Sequence, residues 1–296
     1  MTPGSPKALE KPSSLLRKTA LDDLYRTYNR RCFVRPDPLQ FLYAYPALRD
    51  REIAGLVASS LAYGRVSQIL RSVSIALGVM GPSPFDFLMH ASLSTLRAAF
   101  RGFRHRFSTG EDLASMLWAA RHVIQHHGSL ENAFVAGLRP EHETVLPALT
   151  AFVRALFSSG AGAGFLLPQP EKGSACKRWH LYLRWMVRKD EVDPGGWNRV
   201  SPSRLIVPLD THMHRMGLRL GGTARKQADA RAALELTRAF LCIAPEDPVR
   251  YDFSLTRLGI RSDADLEGFF RRVREEACTS HDPSQKPARM PERRAP

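Results

Sequence analysis

The sequence predicts an all-α protein of about ten or more short helices. Apolar residues recur at the i, i+3, i+4 spacing of an amphipathic helix along most of the 296 residues. Capping residues and glycines stand where those helices should begin and end. No segment longer than four residues alternates convincingly as a strand would. The composition, 44% hydrophobic and 24% charged, is that of a globular protein and excludes a disordered or fibrous chain.

The apolar pattern sets the expected helices in order along the chain. Helices are predicted over 21–28, 53–61, 66–77, 83–91, 111–126, 129–137, 144–158, 174–188, 211–220, 225–241 and 247–258. Two longer stretches, 159–173 and 189–209, lack this pattern and are predicted to be irregular.

Residues with capping preferences support several of these boundaries. Asp50 precedes a predicted helix over 51–63, and Thr109, with Asp112 three residues later, is typical of an N-cap. Glycines stand at predicted helix ends, at Gly64, Gly81, Gly128 and Gly221.

We expect one folded unit over residues 16–278. Residues 1–15 and 279–296 have too few apolar side chains to offset ordering entropy, so both are predicted to be disordered tails. No apolar run has the length of a signal peptide or of a membrane span. The cysteines are scattered, which argues against a zinc ribbon or a disulfide scaffold, at Cys32, Cys176, Cys242 and Cys278. The sequence therefore predicts a cytoplasmic protein with no membrane partner.

The net charge of +14 is unevenly distributed. Residues 171–231 carry thirteen Lys or Arg and six Asp or Glu. A basic segment of this kind favours a polyanion partner, and nucleic acid is the commonest one. The alternative is an arginine bias that decorates a solvated face. If the charge is functional, these cations should form one surface around a binding cleft.

The most informative segment is Val-Pro-Leu-Asp-Thr-His-Met-His-Arg over 207–215. Asp210 is first of all a helix N-cap, since its carboxylate can accept hydrogen bonds from the first turn. The segment also resembles the one that carries the catalytic aspartate in the helix-hairpin-helix DNA glycosylase superfamily. The 8-oxoguanine branch of that superfamily has Val-Pro-Val-Asp-x-His-Met. The matching residues here are Val207, Pro208, Asp210, His212 and Met213.

The hairpin of that superfamily is expected upstream, over 167–188, where Gly173 stands four residues before Lys177. The resemblance implies a two-lobed all-α array in which the backbone of Gly173, Ser174 and Ala175 grips DNA phosphate and Lys177 is the nucleophile. Two departures are evident. The family's second glycine is replaced by Ala175, and Asp210 lies thirty-three residues after Lys177. The residues 189–204 account for the longer spacing as an insertion, which we expect to form a loop over the site.

The resemblance to glycosylases is specific over about 165–220. Over its full length, including 37–42 and 61–64, the chain is most similar to a bacterial family of conserved proteins of unknown function.

Base excision itself explains why a lysine and an aspartate are needed. A nucleophile must attack the sugar C1′, and a negative charge must stabilise the oxocarbenium character that develops there. Lys177 must be neutral when it attacks, which the neighbouring cation Arg178 favours. Asp210, at a helix N-terminus, should remain ionised. The alternative for Lys177 is a phosphate contact with no covalent role.

Several other residues are candidates for DNA contact. The resemblance implies a phosphate or base contact for His212, and Arg178 and Arg204 are further DNA-binding candidates in the basic segment. A flipped base needs aromatic walls and a side chain that fills the gap in the duplex. Gln68 is a candidate for the latter, and core packing is the alternative for each tryptophan considered as a wall, Trp118, Trp179, Trp185 and Trp197.

A metal site is not expected. Asp210, His212 and His214 have suitable chemistry, but residues two apart on a helix point about 200° away from each other, so both histidines cannot bind one ion. No cofactor is implied either. We therefore expect a monomeric, nucleoid-associated DNA glycosylase and AP lyase acting on a damaged purine in double-stranded DNA. The alternatives are a non-catalytic DNA-binding protein and a metal-dependent hydrolase.

Overall fold

The computed structural model describes residues 18–158, 160, 162 and 164–279 of the chain, with side chains up to 275. The predicted tails lie outside these residues, apart from Thr279. The described residues form thirteen α-helices and one two-stranded antiparallel hairpin, so the predicted all-α fold is confirmed. No single helix among them is both long and apolar enough to cross a membrane, although the bent pair over 66–90 would pass by length and composition alone.

Most helices follow one another through short connections, and longer stretches precede α2, α9 and α10. They are α1 (Lys18–Tyr28), α2 (Leu48–Ser60), α3 (Val66–Met80), α4 (Pro84–His90), α5 (Leu93–Ala99), α6 (Gly110–His127), α7 (Leu130–Ala136), α8 (Leu146–Phe157), α9 (Lys177–Val187), α10 (Thr211–Arg219), α11 (Ala230–Leu241), α12 (Asp252–Ile260) and α13 (Leu266–Thr279). The hairpin strands are β1 (Arg104–His105) and β2 (Ser108–Thr109). The hairpin, α5 and α13 were not among the elements predicted from the apolar pattern.

The capping predictions have mixed outcomes. Thr109 forms a capping box at the start of α6, in which its hydroxyl accepts from the Asp112 N–H and the Asp112 carboxylate accepts from the Thr109 N–H at 2.7 Å. Asp50 was predicted as a cap, and this is wrong because α2 begins at Leu48. The Asp50 carboxylate instead accepts from the Ser83 hydroxyl at 2.8 Å and the Phe85 N–H at 2.9 Å, which ties α4 to α2.

Two groups of helices pack around α9. The first group is α2 to α8 with the hairpin, and α2 is the helix that packs directly on α9. In the second group α10 packs on α12, and α1 crosses from the N-terminal part of the chain to pack on α12 and α13. The core between α8 and α9 is aromatic: Phe152, Trp179, Tyr182 and Trp197 have edge-to-face or tilted ring contacts. The groups are therefore joined through a helix that is buried along most of its length.

The stretch 189–209 is irregular, as predicted, apart from a short 3-10 turn. Its first part, 189–204, is expected from the sequence to be a loop over the site, and the structure shows it packed against α9. Its Asp193 is fully buried and pairs with Arg184 of α9 and with Arg188, the residue that follows α9, and its Trp197 lies in the aromatic core. A buried charge is costly unless it is paired, and this stretch supplies the carboxylate for both arginines.

Candidate functional site

Lys177 is the first residue of α9, and the chain before it turns sharply. Gly173 has φ 74° and Cys176 has φ 46°, both left-handed. The carbonyl of Gly173 accepts from the N–H of Ala230 at 3.1 Å, which fixes the turn against the start of α11. The side chain of Lys177 is thereby directed outward from a buried helix, and 32% of it is exposed.

Asp210 is the N-cap of α10, as the sequence predicted. Its Oδ1 accepts from the N–H groups of His212 at 2.9 Å and Met213 at 2.8 Å. These bonds leave Oδ2 free to face another group, because a carboxylate has acceptor capacity on both oxygens.

The group that it faces is the Lys177 ammonium. Lys177 Nζ lies 3.0 Å from Asp210 Oδ2, although the two residues are far apart in sequence. Burial alone would raise the pKa of Asp210, but Lys177 and the Met213 N–H outweigh it and hold that pKa below its usual value. The carboxylate is therefore ionised at neutral pH and forms an ion pair with Lys177.

The pair lines a cavity of about 260 Å³ between the two groups of helices. Gly64, Val66 and Ile69 line it from the first group, and Thr256 and Ile260 line it from α12 of the second. These walls are mainly apolar, so the opening that carries the charged pair leads into a partly dehydrated space.

Charged and polar groups form another part of the cavity lining. Arg184 pairs with Asp252, and Arg257 pairs with Asp37. Two lining residues also carry buried donors with no acceptor in the described part of the chain, namely Trp185 Nε1 and Arg257 Nε. Both nitrogens are shielded from solvent, so they lie behind the surface that a bound molecule would contact.

The predicted base-pocket residues are dispersed. Trp185 is fully buried and lines this cavity. Trp179 and Trp197 belong to the core instead, where they donate to the Pro168 carbonyl at 2.9 Å and to Glu52 at 2.7 Å. Gln68 lines a different cavity on the other side of α3. The half-buried Trp118 lies on α6, with Arg121 over its ring.

Two of the predicted DNA contacts donate to backbone carbonyls. Arg178 is only 9% exposed and donates to the carbonyls of Ser60 at 3.0 Å and Phe165 at 2.6 Å. Arg204 donates to the carbonyls of Arg139 and Pro140, at 2.9 and 3.0 Å. The Arg178 guanidinium is therefore enclosed by the fold, which corrects the expectation of a phosphate contact for it, whereas Arg204 is half-buried.

The histidines of α10 also pack inward. The ring of His212 lies against Gly259 of α12, where any larger residue would collide, and its Nε2 has no partner among the described residues. Burial lowers the pKa of His212, so the ring is neutral. His214 Nε2 lies 2.8 Å from the Arg225 carbonyl. The rings of His212 and His214 therefore make separate contacts.

The segment 167–188 differs from the expected helix-hairpin-helix in its first arm. A 3-10 turn over Pro170–Lys172, not an α-helix, precedes Gly173. Gly173 and Ser174 are exposed, whereas Ala175 is buried. Only the second arm, α9, is a full helix.

The arginines and aspartates that line the cavity were missed by sequence reasoning. Asp37, Asp252 and Arg257 come from distant parts of the chain, and no motif connects them. The basic segment was also misread in part, because Arg178, Arg184 and Arg188 are buried and contribute no exposed charge.

The fold and the site define an all-α protein with a lysine–aspartate pair at a cavity between two groups of helices. Residues 37–261 match the model of the family described as "Protein of unknown function (DUF2400)", and the chain belongs to that family. No curated protein and no solved structure matches the chain.

Proposed function

We propose that this protein is a DNA glycosylase with an associated lyase activity, which removes a damaged purine such as 8-oxoguanine from double-stranded DNA. The observation that carries the proposal is the position of Lys177 Nζ, 3.0 Å from the Asp210 carboxylate at a cavity lined by both. An amine nucleophile beside a fixed carboxylate is the pair that this reaction requires. Such an enzyme would act as a monomer on chromosomal DNA in the cytoplasm, associated with the nucleoid.

The first step begins with proton transfer from Lys177 to Asp210. The neutral amine then attacks C1′ of the damaged nucleoside, forming an N–C1′ bond as the glycosidic C–N bond breaks. The electron pair of that bond leaves with the base, which takes up the proton held by Asp210. The regenerated carboxylate stabilises the positive charge on the sugar adduct, and its hydrogen bonds to His212 and Met213 hold it in place.

The second step cleaves the strand. Opening of the sugar ring converts the adduct to an iminium ion between C1′ and the Lys177 nitrogen. Loss of the C2′ proton then expels the 3′-phosphate by β-elimination. Water hydrolyses the remaining imine, which releases the unsaturated aldehyde and restores the amine.

The cavity suits a single base better than a larger ligand. Its volume of about 260 Å³ lies below the roughly 300–1,000 Å³ of sites for drug-sized molecules.

The alternative is a DNA-binding protein that uses the exposed Gly173 and Ser174 only as a phosphate clamp. That function makes no use of the Lys177–Asp210 pair or of the cavity. A clamp also needs no carboxylate next to its cation, because the carboxylate would repel phosphate. For these reasons we favour the enzyme.

Borohydride trapping tests the proposal directly. Wild-type protein is incubated with duplexes that carry one modified base or one abasic site, and the imine is reduced to a stable adduct. We expect adducts with wild type and none with Lys177→Gln, because glutamine cannot form the imine. Asp210→Asn should reduce the rate by about a hundredfold or more, in line with loss of a positioned proton acceptor.

Matched lysine variants separate catalysis from clamping. Lys172→Gln removes an exposed cation just before Gly173 in the segment 167–188. Lys189→Gln removes an exposed cation at the C-terminal end of α9. We expect both to retain adduct formation at saturating DNA. If wild type forms no adduct and excises no base across the panel, the enzyme proposal is wrong, and DNA affinity that depends on Lys172 would then indicate the clamp.

A further inference from the structure

The short β1–β2 hairpin presents an aromatic side chain to solvent. Phe107, at its tip, is 71% exposed, more than any other large hydrophobic residue described. The neighbouring Phe165 is 51% exposed, and the two ring centroids lie 6.0 Å apart. Exposed phenylalanines that contact one another contribute little to folding and are typical of a binding surface.

Buried contacts hold the hairpin in a fixed position. The Tyr63 hydroxyl lies 2.8 Å from both the His105 carbonyl and the Ser108 hydroxyl. His105 is buried, and its Nδ1 lies 2.9 Å from the Ser72 hydroxyl on α3. Burial lowers the pKa of His105, so these contacts involve a neutral ring at physiological pH. The tip is thus presented by a rigid base.

A basic groove adjoins the hairpin. Its volume is about 550 Å³, and four exposed arginines line it, Arg71, Arg101, Arg104 and Arg106. Across the described ranges, none of the four pairs with a carboxylate. Their charges therefore act together on the solvent side, which favours an anionic partner.

This surface lies next to the Lys177 cavity. Helix α3 separates the two spaces, with Val66 and Ile69 on the cavity side and Arg71 on the groove side. The side chain of Arg106 covers Gly64 of the cavity wall, where an added Cβ would lie 2.7 Å from Arg106 Cδ.

A series of side-chain contacts provides a second connection between the aromatic tip and Lys177. The Arg178 guanidinium lies 4.5 Å from the ring centroid of Phe165, which in turn contacts Phe107. Arg178 follows Lys177 directly in α9, so the aromatic tip and the lysine are linked through two intervening side chains.

We propose that Arg71, Arg101, Arg104, Arg106 and Phe107, which we call the Arg–Phe surface, hold duplex DNA at the point where a base has left the stack. The arginines bind backbone phosphates, and the Phe107 ring enters the gap and stacks on the adjacent bases. The proposal rests on the proposed function, because the cavity beside the surface is where the displaced base would go. It assigns the gap-filling role to the hairpin tip instead of Gln68.

The concave shape of the surface and its position beside the cavity favour DNA over other anionic partners. A membrane surface would be contacted best by a convex face with its apolar groups aligned along one helix. Here the arginines line a groove and the aromatic group stands at its edge, which suits a phosphate backbone with a base step next to it.

Binding measurements in a Lys177→Gln background test this proposal without covalent capture. The probes are a duplex with one tetrahydrofuran abasic analogue and the same duplex intact. We expect Phe107→Ala to weaken binding to the tetrahydrofuran duplex by roughly tenfold and to leave the affinity for the intact duplex unchanged. Replacing Arg71, Arg101 and Arg104 together by alanine should weaken both and reduce the salt dependence, the slope of log affinity against log salt, by about 1 for each arginine.

Two variants and one vesicle assay complete the design. Arg139→Ala removes an exposed cation, and Leu218→Ala an exposed apolar residue, both outside the Arg–Phe surface, and neither should change affinity. Equal affinities of wild type and Phe107→Ala for the tetrahydrofuran duplex would overturn the proposal. So would binding to phosphatidylserine vesicles that requires Phe107 while DNA binding does not.

The outcome is separable from that of the proposed function. If Phe107 and the arginines govern DNA affinity but Lys177 forms no adduct, the surface is retained and the glycosylase is not. If the adduct forms but these variants bind as wild type does, the reverse holds.

Discussion

Arginines in two regions of the molecule have opposite environments. Arg184 of α9 and Arg188, which follows α9, have side chains that are 3% exposed, and each pairs with the fully buried Asp193 and at least one further aspartate. The arginines of the Arg–Phe surface are exposed and, within the described residues, have no carboxylate partner. A guanidinium that is buried away from water is costly unless protein groups replace the water, and for Arg184 and Arg188 those groups are carboxylates, whereas an exposed guanidinium is solvated. Unpaired exposed arginines are thus available to a ligand.

The buried cluster also positions the candidate catalytic helix. Burial by itself would lower the pKa of Arg184, but Asp193 and Asp252 outweigh burial and raise it, so the guanidinium remains charged. Asp252 begins α12 and Asp193 lies in the irregular stretch after α9. One side chain of α9 thus joins three parts of the chain beneath Lys177, and the cavity depends on that connection.

The largest expected effect comes from removing one buried arginine. Arg184→Met leaves Asp193 and Asp252 each short of a cationic partner, so we expect the free energy of unfolding to fall by about 3–5 kcal/mol. Urea denaturation followed by circular dichroism measures this fall. Arg101→Met is the control, and a fall for Arg184→Met no larger than for Arg101→Met would show that the buried cluster is not structural.

A buried carboxylate without a cation gives the next effect, through pH. Glu52 is 2% exposed and accepts from the Glu131 N–H at 2.9 Å and the Trp197 indole at 2.7 Å. Burial raises its pKa from 4.5 to about 7. The folded state therefore binds more protons than the unfolded state between these values, so the contribution of Glu52 is complete below pH 4.5 and is lost as the pH rises through about 7.

This shift corresponds to a loss of about 3 kcal/mol across that window. Urea midpoints measured over a pH series test it, with Glu52→Gln as the comparison, because glutamine does not titrate. We expect the midpoint of wild type to fall with rising pH more steeply than that of Glu52→Gln. Parallel curves would mean that Glu52 is already ionised in the folded protein.

The sequence predicted local features better than distant pairings. Helical spacing was sufficient for the all-α class, and the cap of α10 by Asp210 follows from local hydrogen bonding. The direction of Arg178 could not be predicted, because its acceptor at Ser60 lies 118 residues away. Short α5 has only seven residues and the hairpin strands only two each, too few for a clear period.

The Lys177–Asp210 contact is a distant pairing of this kind. Spacing alone did not bring the two residues together, and the resemblance over 165–220 suggested that they belong to one site. Their 3.0 Å separation is a property of the fold, since α9 and α10 are held apart in sequence by the irregular stretch and together in space by α12.

The smallest expected effect is on stability at the Arg–Phe surface. Arg71→Met, Arg101→Met and Arg104→Met each remove an exposed guanidinium that has no carboxylate partner among residues 18–158, 160, 162 and 164–279. We expect each to change the free energy of unfolding by less than about 0.5 kcal/mol. A change in the stabilising direction is consistent with this, because removing one cation reduces the repulsion among like charges. Urea denaturation at low salt measures this. A loss of about 2 kcal/mol at any of them would mean that the arginine is held by the fold, and its charge would then be unavailable for phosphate.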